Sequence, residues 1–307
     1  MKKNKKVKRK ENHFNALYFI RLIVIFIIYF LTAKIGLSLD AIGGFAALFW
    51  LPSGIALASM LLFGYRYWPS IAIGAFLINF IIGAPWFTAI TIGVGNTLEA
   101  LIGMHILKNI VGFKTELRSL KDIFSLLVFA GLISTMIGAT IGVSSLYLSG
   151  LISGATYVKA WFSWWFGNTL GILVATPLIL VLFNYKYYKN ILKMSSYKAV
   201  EAVILTLLII FVNLIIFYDI LVIKFNDLPI AYLIFPFLIL ASVRFCRIGA
   251  TISIFITSMI AVMGTAKGLG PFVLDNLSSN LLFLQVFVGL TAIIMLILAT
   301  ITNKIEN

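Results

Sequence analysis

The chain is poor in charge. Only 11% of its 307 residues are Asp, Glu, Lys or Arg and 62% are hydrophobic, where a soluble domain has about 25% charged and about 45–50% apolar residues. That deficit excludes an ordinary soluble globular domain. There is a single cysteine, Cys246, so an intrachain disulfide and a metal site built from cysteines are both excluded. No His-Glu-x-x-His, no Gly-x-Ser-x-Gly and no pair of acids within one apolar run is present. An enzyme is therefore not expected, and neither is a cofactor or a catalytic metal. No connection between apolar runs is long enough to hold a core of its own. Residue 2 is Lys2 rather than glycine, and the C-terminus has no lipidation signal.

What is there is a succession of long apolar runs. They are unlike the short alternating segments of a β-barrel, and in hydrocarbon such runs must be helices. The expected class is all-α: a polytopic transmembrane helical bundle. Helices are expected at Leu17–Leu39, Leu48–Phe63, Tyr67–Ile82, Trp86–Leu107, Leu120–Leu148, Val158–Phe183, Ala199–Tyr218, Pro229–Val243, Ile248–Met263 and Ser279–Thr302. Ahead of them residues 1–15 form a basic tail, and residues 16–303 form the membrane domain. The tail resembles the start of a signal peptide, but no small-residue cleavage site follows, so the first run is expected to stay as a span.

The basic residues fix the orientation. With the N-terminus in the cytoplasm, the inner connections hold the tail, Arg21, Arg66, the cluster Lys108–Lys121, the cluster Lys186–Lys198, Arg244, Arg247 and Lys304. The outer ones hold only Lys34, Lys159, Lys224 and Lys267. That asymmetry predicts about ten spans with both termini cytoplasmic. Eight spans would result if Pro229–Val243 and Ile248–Met263 formed a re-entrant hairpin, but this would bury Arg244 and Arg247 in the bilayer. The basic tail is read as a topology determinant beside anionic headgroups, with no nucleic acid as partner.

Glu99 is the conspicuous residue. It lies about 13 residues from one end of its helix and 8 from the other, near mid-depth, where a charge costs at least ~2.5 kcal/mol. The functional reading is a ligand contact, a proton site or a partner to a buried cation; the structural one is a protonated acid that joins helices. Its candidate partners are Asn96, Asn79, Asn168, Arg66 and Arg244. Gly95-Asn96-Thr97-Leu98 recurs as Gly167-Asn168-Thr169-Leu170. Pro52 and Pro236 likewise each precede a Leu-Ala-Ser and a short basic turn, so an internal duplication is one reading. Asn213 and Gln285 are further amides in apolar helices, where such groups join neighbours. His105 is read as an interface residue. The tryptophans suit an aromatic belt, although Trp164 and Trp165 could wall an outward-opening pocket beside Asn168. Gly264–Phe272 with Lys267 is either an anion-binding loop or a plain turn.

Several motifs resemble a known family. Phe49-Trp50-Leu51-Pro52-Ser53-Gly54, Leu62–Pro69, Gly95–Ala100, Trp161–Asn168 with Leu170–Leu173 and Thr176-Pro177-Leu178, and Gly264–Phe272 with Gln285 resemble the bacterial membrane-associated sensor domain (MASE, type one). The likeness runs from about Leu17 to Ala299. It implies a sensory module of the kind fused to histidine kinases or diguanylate cyclases. Asn168 stands where the family is expected to favour an acid. No output domain is expected beyond Ile301–Asn307, and signalling is therefore expected in trans.

The resulting expectation is a multi-pass sensor or regulatory module of a bacterial cell membrane. It would bind a small ligand or a membrane partner near Trp50, Pro52, Arg66, Asn96, Glu99, Trp165, Asn168, Arg244 and Gln285, and signal to a membrane or cytoplasmic protein. The alternatives are a small-solute transporter and a membrane scaffold packed through glycines such as Gly138 and Gly142.

Overall fold

The computed structural model describes residues 2–38, 41–42, 46–47, 49–184, 194–218, 220, 230–273 and 277–305. Ten α-helices run through them. They are α1 (Lys2–Ser38), α2 (Leu51–Phe63), α3 (Trp68–Ile81), α4 (Trp86–Val111, π-wound over its last turn Ile106–Val111), α5 (Leu120–Leu148), α6 (Gly154–Leu182), α7 (Ser196–Tyr218), α8 (Phe235–Arg244), α9 (Cys246–Ala266) and α10 (Leu277–Ile305). They match the ten expected helices one for one. The expected starts at Leu48 and Pro229, and Lys186, Lys189, Lys193 and Lys224, lie outside the described residues. A two-residue antiparallel pairing, Ala41–Ile42 with Ala46–Ala47, lies between α1 and α2.

Among the described residues, seven helices are long and apolar enough to cross a bilayer: Ala16–Ser38 of α1, α4, α5, α6, α7, α9 and Leu282–Thr302 of α10. The remaining three are short. α2 has 13 residues, which at ~1.5 Å each is about 20 Å against a hydrocarbon core of ~30 Å. It begins at Leu51 with Pro52 in its first turn, where a missing N–H costs no helical bond. α8 also has a proline in its first turn and is led in by a 3₁₀ turn, Ile230–Ile234.

α5 is irregular. A capping box opens it: Ser119 accepts from the Asp122 N–H at 3.2 Å, and the Asp122 carboxylate accepts from the Ser119 N–H at 3.1 Å. The chain then winds as a π-helix over Leu126–Ser134 before returning to α-helix at Thr135. π segments are rare and often mark functional sites.

The shortest of the N-terminal helices is the central one. Every residue of α2 from Leu51 to Leu61 is buried. It lies along α6, where the Trp50 N–H donates to the Gly167 carbonyl at 3.0 Å and the Thr176 hydroxyl donates to the Gly54 carbonyl at 3.1 Å. Gly54 and Gly171 allow this approach. A Cβ on Gly171 would strike the Trp50 carbonyl, and one on Gly54 would strike the Gly171 carbonyl. In the second half of the bundle, Asn213 of α7 donates to the Thr257 hydroxyl of α9 at 3.1 Å. The outer faces are apolar: α1 alone exposes Phe19, Ile20, Ile23, Val24, Ile27 and Leu31. A surface of that kind is hostile to water and suits lipid.

The close approach of α2 to α6 makes a testable demand. Gly171→Ala and Gly54→Ala should each destabilise the detergent-solubilised protein by roughly 1–3 kcal/mol, seen as a lower melting temperature. Gly154→Ala, where the nearest atom to the new Cβ is at 3.6 Å, should leave melting unchanged. Equal melting in all three variants would contradict this packing.

Candidate functional site

Glu99 lies at the middle of α4, thirteen residues past Trp86 and twelve before Val111, about 20 Å from either end. It is 1% exposed. Asn96, Glu99, Ala100 and Gly103 recur at helical spacing and form the buried face of α4.

Three other helices meet the carboxyl group. Asn168 Nδ2 of α6 donates to Glu99 Oε2 at 2.7 Å. The Ser53 hydroxyl, in the first turn of α2, lies close to the same carboxyl group. Gly138 of α5 leaves it room, since a Cβ there would collide with Oε2. The first turn of α2 therefore stands at mid-depth, with the partial positive charge of a helix N-terminus beside the acid.

Asn96 faces elsewhere. It was an expected partner of Glu99, but its Nδ2 donates to the Tyr29 hydroxyl of α1 at 3.2 Å. Tyr29 is 1% exposed. Asn96 Oδ1 and Trp50 Nε1 are buried without a hydrogen-bond partner among the described residues, and Trp50 Nε1 lies near the Tyr29 hydroxyl without closing a bond to it.

The second copy of the Gly-Asn-Thr motif ties α6 to three helices in three consecutive residues. The Gly167 carbonyl accepts from Trp50 ahead of α2. Asn168 binds Glu99 of α4. The Thr169 hydroxyl donates to the Gly131 carbonyl of the π segment at 2.7 Å. Trp165, one turn earlier, donates from Nε1 to the Leu132 carbonyl at 2.8 Å. Trp165 is thus an anchor onto the π segment. The first copy does not act the same way, because Thr97 bonds back to Gly93 of its own helix.

Of the expected site residues, the structure gathers Trp50, Pro52, Asn96, Glu99 and Asn168, with Trp165 just beyond. It separates the others. Arg66 is exposed in the turn Tyr65–Tyr67. Arg244 is bound to Glu201 at the edge of the bundle, at 2.6 and 3.1 Å; an exposed arginine finds an exposed carboxylate at lower desolvation cost than a buried one. Gln285 is buried but lines a cavity on another face of α6. Asn79 bonds to Ala75 of its own helix. His105 joins Tyr65 and Asn109 in an exposed cluster. Lys267 caps α9 and its ammonium lies over the Tyr218 ring at 5.2 Å. Tyr29 and Ser53 are site members that carry no mark in the sequence. Tyr29 is one aromatic in an apolar run, and Ser53 is one small hydroxyl after a proline.

Fold and junction together define a multi-pass helical membrane protein whose polar groups converge at mid-depth. The family model for MASE1 matches residues 21–304. The chain belongs to that family of membrane-associated sensor domains, which is a sensor family rather than a catalytic one. No curated protein and no solved structure matches it.

Asn168→Ala leaves a buried carboxyl group without its amide donor and should cost about 1–3 kcal/mol on unfolding in detergent. Arg244→Ala alters a solvent-screened pair and should lower the melting temperature less than Asn168→Ala does. A double-mutant cycle of Glu99→Ala with Asn168→Ala should show coupling of at least about 0.6 kcal/mol. Additive effects would mean the two residues do not act together.

Proposed function

We propose that this protein is a regulatory sensor module of a bacterial plasma membrane. It binds a small ligand or a membrane partner among its helices and passes the resulting helix movement to another protein in trans. The observation that supports this most is the Glu99–Asn168 hydrogen bond. It joins α4 to α6 beside α2 and the π segment, so movement of any one of these helices disturbs the same junction. A ligand acts on such a junction by binding one helix arrangement more tightly than the other, and a difference of about 1.4 kcal/mol changes their ratio tenfold. Membership of a sensor family points the same way.

The same proposal includes a topology of ten crossings with both termini cytoplasmic. Three crossings would be completed by α2, α3 and the segment Ile230–Arg244. The support is the charge distribution: of 24 basic residues, only Lys34, Lys159, Lys224 and Lys267 fall on the outer side.

Glu99→Gln keeps shape and hydrogen-bonding capacity and removes the acid. Cells carrying this variant should differ from wild type in the transcriptional response that a deletion strain loses, at equal expression and membrane insertion. A response identical to wild type would count heavily against the sensor reading.

A second reading, transport of a small solute, is favoured by one observation. α2 is a short helix whose N-terminus meets polar groups at mid-depth, and transporters place substrate at such interrupted helices. Solute flux into liposomes holding the purified protein would favour it over signalling.

A further inference from the structure

Glu99 itself is tightly packed, and the space for a ligand lies on another face of α6. Phe166, Thr169, Leu170 and Leu173 form one wall of a cavity of about 210 Å³. Leu127 and Leu132 of the π segment form the second wall, and Gln285, Val286, Gly289 and Leu290 of α10 lie on the third.

We propose that this cavity is a binding site for a lipid-soluble molecule: an apolar chain with one hydrogen-bonding head group, entering sideways from the hydrocarbon and acting on the π segment. This rests on the sensor reading above and names the ligand class that reading needs. The mouth dictates the class. Leu282, Val286 and Leu290 are 54%, 48% and 53% exposed, and all three lie in the first half of the apolar span Leu282–Thr302. Their exposed faces therefore look into lipid, and a water-soluble ligand would have to cross hydrocarbon to reach them. The volume exceeds the about 150 Å³ of an apolar cavity that takes up benzene, so it admits part of an apolar chain while the rest lies in the hydrocarbon at the mouth. The lining is apolar except for Thr169, whose hydroxyl is bonded to Gly131, and Gln285, 8% exposed, whose amide can make up to about four hydrogen bonds and so can add one to a carbonyl, carboxyl or hydroxyl group on the ligand.

The cavity reaches the junction through its own walls. Thr169 lines it and bonds the Gly131 carbonyl; the next residue back, Asn168, holds Glu99. Leu132 lines it too, and its carbonyl accepts from Trp165. A π segment winds its extra residue into the helix. If occupancy drives Leu126–Ser134 into α-helical winding, everything beyond it rotates by about one residue, or about 100°. Gly138 then leaves Glu99 and a residue with a side chain takes its place, where there is no room for one.

The test uses the full chain in phosphatidylcholine nanodiscs with palmitic acid bearing a mid-chain diazirine. After irradiation, adducts mapped by mass spectrometry should be several-fold enriched at Leu127–Leu132 and Leu282–Ile293 over the lipid-facing residues Phe19–Leu31 of α1. Excess unlabelled palmitic acid should compete them away. Val286→Trp, at the exposed rim, should reduce adducts at Leu127–Leu132 several-fold and leave α1 labelling unchanged. Uniform labelling that does not saturate, or labelling that Val286→Trp does not alter, overturns the site. Such a loss together with an altered response in Glu99→Gln would remove the site and leave the sensor reading standing. Saturable labelling with a normal response in Glu99→Gln would keep the site and remove that reading.

Discussion

The hydrogen bond from Asn168 to Glu99 sets the terms for the helices around it. An acid at the middle of a membrane helix has no water to turn to, and each unsatisfied polar group there costs several kcal/mol. Donors must therefore come from neighbouring helices, at hydrogen-bonding distance. The bundle meets that demand with small residues. Gly138 withdraws α5 far enough to admit the carboxyl group, and Gly54 and Gly171 let α2 and α6 approach until backbone touches backbone. Remove the acid, and much of the reason for that particular spacing goes with it.

The position of α2 follows from the same constraint. A helix crossing the whole core would present its middle to Glu99, and there every N–H is already bonded within the helix. α2 presents its first turn, which offers Ser53 and the positive end of the helix dipole. Proline at the second position fits, because the first-turn N–H it lacks is one the helix would not have used. The cost is that Phe49 and Trp50 stand there in non-helical form. Part of that cost is met at once, since the Trp50 N–H donates to the Gly167 carbonyl.

Much of this was legible in the residues, and the part that was not has definite causes. Long apolar runs broken by glycine, proline and basic turns gave ten helices because hydrocarbon leaves the backbone no other choice. Glu99 stood out because an acid in such a run is costly wherever its partner lies. Asn168 could be reached only through the echo of Gly-Asn-Thr, and that echo was half misleading: Asn168 binds Glu99, whereas Asn96 binds Tyr29. Arg244 was a plausible partner on charge alone, but charge does not encode distance, and the arginine finds Glu201 instead. The π segment was invisible, because Leu126–Ser134 is as apolar as any α-helical stretch and one extra residue per turn does not alter composition. Tyr29 and Ser53 take their roles entirely from what packs beside them.

The chemistry of the donors argues for what the junction is suited to. Had Glu99 met a buried arginine, separating the two would leave charge stranded in hydrocarbon and cost about 3–5 kcal/mol, a bond that holds one arrangement against nearly any ligand. A neutral amide such as that of Asn168 holds it far more lightly. Interhelical hydrogen bonds of that kind in membranes average about 0.6 kcal/mol, because the separated groups find other partners. One buried donor, Trp50 Nε1 in the residue before α2, is unengaged among the described residues. Position and partner thus pull in opposite directions. Burial at mid-depth forces Glu99 to keep some donor, while the weakness of neutral donors lets it change which one. A junction with those two properties fixes the identity of the helices that meet there without fixing a single angle between them.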